Sequence, residues 1–232
     1  MRCWPLLALC ACRIGFDAVD PDASAAADDG GDGGGTITTI TFGERPTSMR
    51  KNVTSDARLD QLQPALNYGG SEDLALSQFT TNNEHSLVRF ELSSVPPGTA
   101  VTGARLQVHL LDYGDETAGT IVVRLLAETW IEGTNMGSPG GGVSWTTPDG
   151  STPWTTPGGT TSRTLASLVM PEQQLVVPLE PDVVQSWIDD PASNAGVLLT
   201  VSAAPAHYHL HSRDSNLMQM TARPELAVDL IE

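Results

Sequence analysis

The chain has 232 residues and a formal net charge of -16, with 12 basic against 28 acidic side chains. A field of that sign repels phosphate backbones and anionic membrane faces, which argues against nucleic acid as a partner. Its 22 glycines and 16 prolines, with only 17% charged residues, suit many short strands joined by turns and not a helical bundle.

Residues 1–11 read as a signal peptide: Arg2 supplies the positive end, and Trp4 to Ala11 form an apolar run too short to span a bilayer. The run ends Leu9-Cys10-Ala11-Cys12, which resembles a bacterial lipobox. In that family the cysteine after a small residue is lipidated, which implies Cys12 as the lipid anchor. Cys10 follows bulky Leu9 and is the alternative, and a plain signal peptide or a mis-assigned start is the other reading. Residues 12–36 are expected to form a disordered tether, because Asp17 to Gly35 is mostly Asp, Ala and Gly with almost nothing to bury. Its reach is about 25 Å by flexible-chain scaling. All three cysteines, Cys3, Cys10 and Cys12, precede residue 13, so the folded part has no disulfide. The expected location is the bacterial cell envelope, with membrane contact through the lipid alone, or secretion.

From residue 37 to 232 the pattern is one β-sandwich domain. Ile37 to Phe42 opens it, Val88-Phe90-Leu92 alternates with Leu87, Arg89 and Glu91, and Ala104-Leu106-Val108-Leu110 alternates with Arg105, Gln107 and His109. Ile121 to Leu126 is more continuous, as for a strand covered on both faces. Gly133 to Thr161 is a long irregular stretch rich in Gly, Pro, Ser and Thr, the kind of loop that is functional or mobile in compact domains. Gln174–Leu179, Gly196–Ser202, Tyr208–Ser212 and Glu225–Ile231 complete about ten strands, which together predict an all-β, two-sheet jelly roll. One short helix is expected near 181–189. Pro181 sits in its first turn, Asp182 complements the dipole, Val183, Val184, Trp187 and Ile188 share a face, and Pro191 follows. That face predicts a core role for Trp187.

Several pieces then fall in one order: Asn67-Tyr68-Gly69, Leu87-Val88-Arg89-Phe90-Glu91-Leu92, Pro97-Gly98, Trp130-Ile131-Glu132-Gly133, Val143-Ser144-Trp145, Thr152-Pro153-Trp154, Val183 to Trp187, His209 to Asp214, and Pro224-Glu225-Leu226. Over roughly residues 55–231 this order resembles the DNRLRE or disaggregatase-related β-sandwich family, which is related to carbohydrate-binding modules. The resemblance implies a jelly roll without catalytic residues. Many relatives carry an aromatic and a glutamate where this chain has Leu210 and Asp214.

Two kinds of binding chemistry remain readable. His207, His209 and His211 alternate with Tyr208 and Leu210, so a strand would align three imidazoles at about 7 Å intervals on one side. That is a ligand geometry for zinc, copper or nickel, or else a hydrated polar face. For a sugar, an exposed indole is the usual stacking surface. Trp154, between Pro153 and Pro157-Gly158, is expected to be exposed, while Trp130 and Trp145 are expected in the core. Trp154, Tyr113 and Arg213 are the ligand-binding candidates. Structural calcium could sit in the acidic loops at Asp112–Glu116, Glu72–Asp73, Asn82–Glu84 or Asp189–Asp190. No catalytic signature is present: there is no Gly-x-Ser-x-Gly elbow, His-Glu-x-x-His or phosphate loop. The sequence thus points to a non-catalytic envelope lipoprotein that binds extracellular polysaccharide, or to a structural or adhesive spacer without sugar affinity.

Overall fold

The computed structural model describes residues 35–113, 119–169, 173–202 and 205–231, and the side chains of Asp112, Tyr113 and Leu217 are not among what it describes. Cys12, the expected tether up to Gly34, and the Gly114–Glu116 part of one acidic loop lie outside the described residues, as does the Tyr113 side chain.

In chain order the strands are β1 (Ile37–Gly43), β2 (Thr54–Asp60), β3 (Leu66–Asn67), β4 (Asp73–Gln78), β5 (Asn83–Phe90), β6 (Ala100–Tyr113) and β7 (Thr120–Leu126). They continue with β8 (Ser138–Pro139), β9 (Thr161–Val169), β10 (Gln174–Leu179), β11 (Val197–Ser202), β12 (Ala206–His211) and β13 (Glu225–Ile231), and the helix α1 (Pro181–Asp189) precedes β11. Every named pairing among them is antiparallel. One sheet runs β1-β13-β6-β10 and the other runs β5-β11-β7-β9, with β2 along β5. If these eight principal strands are numbered first to eighth along the chain, the orders are 1-8-3-6 and 2-7-4-5, so neighbours in space alternate between early and late segments. This is the expected all-β jelly-roll sandwich.

The long strand β6 joins the layers. Its first part pairs with β13 and β10, and its last residues pair with β12 across a register shift at His209/Leu210. The strands β12 and β4 then lead on to β5. Alternation decides which side chains enter the layer between the sheets: Leu106 and Val108 from β6, Leu74 and Leu76 from β4, Ile121 and Val123 from β7, Tyr208 and Leu210 from β12. The helix closes one end, with Val183, Val184, Trp187 and Ile188 buried as its amphipathic pattern requires.

A second apolar cluster covers the outer side of the β5–β11 sheet, and it explains the long irregular stretch. The alternate residues Ala57 and Leu59 of β2, Leu87 of β5 and Leu198 of β11 point away from the main core. Trp130, Val143, Trp145 and Trp154, from the segment after β7, close over them. Each indole removes about 150–250 Å² from water, so this segment is packed onto the sheet and not a free loop.

Candidate functional site

The packing of Trp154 corrects the expectation that it is exposed. It is 4% exposed, and its Nε1 donates to the Ser144 carbonyl at 2.9 Å. The flanking prolines turn the chain back onto the sheet, so the indole fills the second cluster and offers no face to a sugar. Trp130 and Trp145 are buried as expected, at 3% and 9% exposure. Trp130 Nε1 donates to the Ala195 carbonyl at 2.9 Å.

Trp145 in turn backs the wall of a groove. The segment Thr156–Gly159 folds back beside Trp145: the Gly158 N–H donates to the Trp145 carbonyl at 2.7 Å, and the Gly159 N–H donates to the Thr156 carbonyl at 3.2 Å. Both glycines hold positive φ, +84° and +108°. Opposite this wall, the outer faces of β4, β5, β7 and β11 supply Gln78, Asn83, Arg124, Thr200 and Ser202. The groove measures about 300 Å³. Among the described residues its lining contains no aspartate or glutamate, in a chain that has 28 of them. Arg124 is half-buried on its floor, and among the described residues its guanidinium has no hydrogen-bond or ion-pair partner. The reading of Ile121–Leu126 as a strand covered on both faces missed this arginine, because the cover stops short of it.

The histidines do not gather into a metal site. His209 Nδ1 lies 2.8 Å from Asp73 Oδ2, and that hydrogen bond holds the imidazole above the usual histidine range. The same contact holds the Asp73 carboxyl below its usual value. His207 Nε2 stands 3.4 Å from Glu84, and Arg58 bridges Asp73 and Glu84 at 3.4 and 3.9 Å while lying over the Tyr68 ring. His211 is buried, with Nδ1 3.2 Å from the Ser215 hydroxyl. His209 and His211 have protein partners at Nδ1 while His207 Nε2 is buried without a hydrogen bond, and among the described residues no histidine joins a cluster of three converging ligand atoms.

Four of the acids read as calcium loops already have protein partners. Asp73 and Glu84 belong to that ion-pair cluster, Asp189 accepts from the Gly98 N–H at 2.8 Å, and Asp190 accepts from the Ala192 N–H at 3.1 Å. The carboxylates that do converge were missed. Among the described residues, Asp56, Glu132 and Asp214 bring one oxygen each within 4.8 Å of the others. Glu132 accepts from the Asp56 N–H at 2.7 Å, and Asp56 accepts from the Arg213 N–H at 2.6 Å. Burial, reinforced by the neighbouring acids, raises the Asp56 carboxyl well above its ordinary value and pushes Glu132 up to about 6. These three could share a proton or hold a cation.

Arg213, expected to contact ligand, is also engaged by the protein. Its guanidinium donates to the Thr54 carbonyl and lies 3.2 Å from Glu132. This ties the turn after β12 to β2 and supplies positive charge to the three acids. Glu132, Arg213 and Asp214 edge a second cleft of about 360 Å³ beside Gly69 and Gly70.

Residues 47–136 match the family model of carbohydrate-binding module family 96. That stretch runs through β2 to β7 and holds Gln78, Asn83, His85 and Arg124 of the groove. No curated protein matches the chain. Over those residues, then, the chain is similar to a carbohydrate-binding module.

Proposed function

We propose that this protein is a non-catalytic polysaccharide-binding module, held at the bacterial cell envelope by a lipid on Cys12, and that the sugar chain lies in the groove across β5, β11 and β7. One observation carries the location: among the described residues, Arg124 offers a guanidinium without a partner on the floor of a concavity free of carboxylates, inside a strongly acidic chain. Beside it, the Gln78 amide supplies a donor and an acceptor, and the Thr200 and Ser202 hydroxyls supply acceptor oxygens, their hydrogens facing the Val122 and Thr120 carbonyls at 3.4 Å. Recognition runs through hydrogen bonds and charge, because the described tryptophans are buried. A guanidinium pairs best with a planar anion, so sugars bearing acid groups fit this floor better than neutral ones. Screening at physiological salt, over about 8 Å, makes the local acid-free lining count for more than the distant net charge.

Affinity electrophoresis of the full chain through gels carrying neutral, acidic and amino polysaccharides tests the reading. Retardation by an acidic polysaccharide, weakened about tenfold or more by Arg124→Ala, is the expected result. The burial of Trp130, Trp145, Trp154 and Trp187 favours a second reading, a spacer of the envelope without sugar affinity. Unretarded migration in every gel would select it.

A further inference from the structure

His85 stands where the groove floor meets its wall. Its Nδ1 lies 2.7 Å from the Gly158 carbonyl, and its ring centroid is 4.7 Å from that of Trp145. A carbonyl oxygen only accepts, so Nδ1 carries the hydrogen, and Nε2 of the neutral ring is left as an acceptor. Burial, aided by the charge of Arg124, holds the imidazole below the usual histidine range and keeps it neutral at physiological pH. Register places the two residues on either side of β11, since Leu198 is opposite both Leu87 and Arg124.

We infer that His85 pins the wall of the groove through Nδ1–H and accepts a sugar hydroxyl through Nε2, beside the donor Arg124. The inference rests on the groove being the sugar-binding surface. The donor and the acceptor together read a sugar unit that carries an acid group and a hydroxyl side by side. The pin adds a side-chain hold to a wall segment whose Gly158 and Gly159 have no side chains, beside the backbone bond from Gly158 to the Trp145 carbonyl.

Two substitutions in the full chain separate the roles. His85→Asn keeps a donor near the Nδ1 position and loses the Nε2 acceptor, whereas His85→Phe keeps an aromatic ring against Trp145 and loses both nitrogens. With an acidic polysaccharide that retards the wild type, His85→Asn is expected to bind about tenfold more weakly, with slow exchange of the Gly158 N–H retained. His85→Phe is expected to bind still more weakly, exchange that proton faster, and shift the tryptophan emission. Wild-type affinity should be flat above pH 6.5 and fall in acid as Nε2 gains a proton, and that acid limb should vanish in His85→Asn. Nitrogen-15 spectra should place the ring hydrogen on Nδ1. Wild-type affinity in His85→Phe, or the hydrogen found on Nε2, would overturn the inference. If no polysaccharide retards the wild type, the groove reading and the acceptor role fail together. The Gly158 exchange rate and the tautomer then decide the pin alone.

Discussion

Gly158 lies flat against Trp145: its N–H donates to the Trp145 carbonyl at 2.7 Å, and a Cβ in its place would meet the indole at 2.8 Å. With φ at +84°, a side chain here is also strained on the backbone. Gly158→Ala should therefore destabilise the fold by about 2 kcal/mol or more, read by urea denaturation. Stability within a few tenths of the wild type would mean the wall does not rest on Trp145.

Asn67 is fully buried under the start of the long segment. Its Nδ2 donates to the Glu132 carbonyl at 2.6 Å and the Val143 carbonyl at 2.8 Å, and its Oδ1 accepts from the Asn135 N–H at 3.0 Å. One side chain thus satisfies three backbone groups beside the two-residue β3–β8 ladder. Asn67→Ala orphans them and should cost about 2–4 kcal/mol in thermal or urea unfolding. Asn67→Asp should fare no better, since it removes the two donated bonds.

Trp154 separates a packing role from a sugar platform. Trp154→Ala opens a cavity in the second cluster and should cost about 3–5 kcal/mol, while Trp154→Phe should cost less and keep the affinity for any polysaccharide that retards the wild type. Lost affinity in a stably folded Trp154→Phe would restore the stacking role that the sequence suggests.

The acid cluster gives a pH signature. Glu132 titrates near 6 in the folded protein against 4.5 for an ordinary glutamate, so the folded state holds a proton that the unfolded chain releases. Stability from this group is complete below about 4.5 and is lost as pH rises through 6. His85, His109 and His211, depressed first by burial, act in the opposite sense as pH falls below the usual histidine range, so the wild-type curve alone mixes the effects. The informative quantity is the melting difference between Glu132→Gln and wild type. It should shift in favour of the variant between pH 4.5 and 6.5, and a constant offset would contradict the raised carboxyl.

Much of this architecture is legible in the residues. The alternation through Leu106 and Val108, and the Pro181–Asp182 start of the helix with its Val/Trp face, fix their burial by period alone. The Asn67-Tyr68-Gly69 turn is equally legible, though not the reason for it: a Cβ on Gly69 would fall 2.0 Å from the Glu132 carbonyl oxygen, a contact made from a distant part of the chain. The candidate site was harder to read for the same reason. Proline-flanked Trp154 has the look of an exposed tip, and only the apolar outer faces of Leu87 and Leu198 reveal what it covers. Arg124 sits in a run of apolar residues that hides the open side of the strand. Asp56, Glu132 and Asp214 come from three separate segments with no shared spacing, so nothing local announces that they meet.

The most direct measurement is a map of bound sugar on the isotope-labelled protein. An acidic oligosaccharide is titrated in while amide and guanidinium signals are followed. The account predicts saturable shifts centred on Arg124, Asn83, His85 and Thr200, absent in Arg124→Ala. Shifts centred instead on the cleft at Glu132 and Arg213, with Arg124 undisturbed, would contradict it.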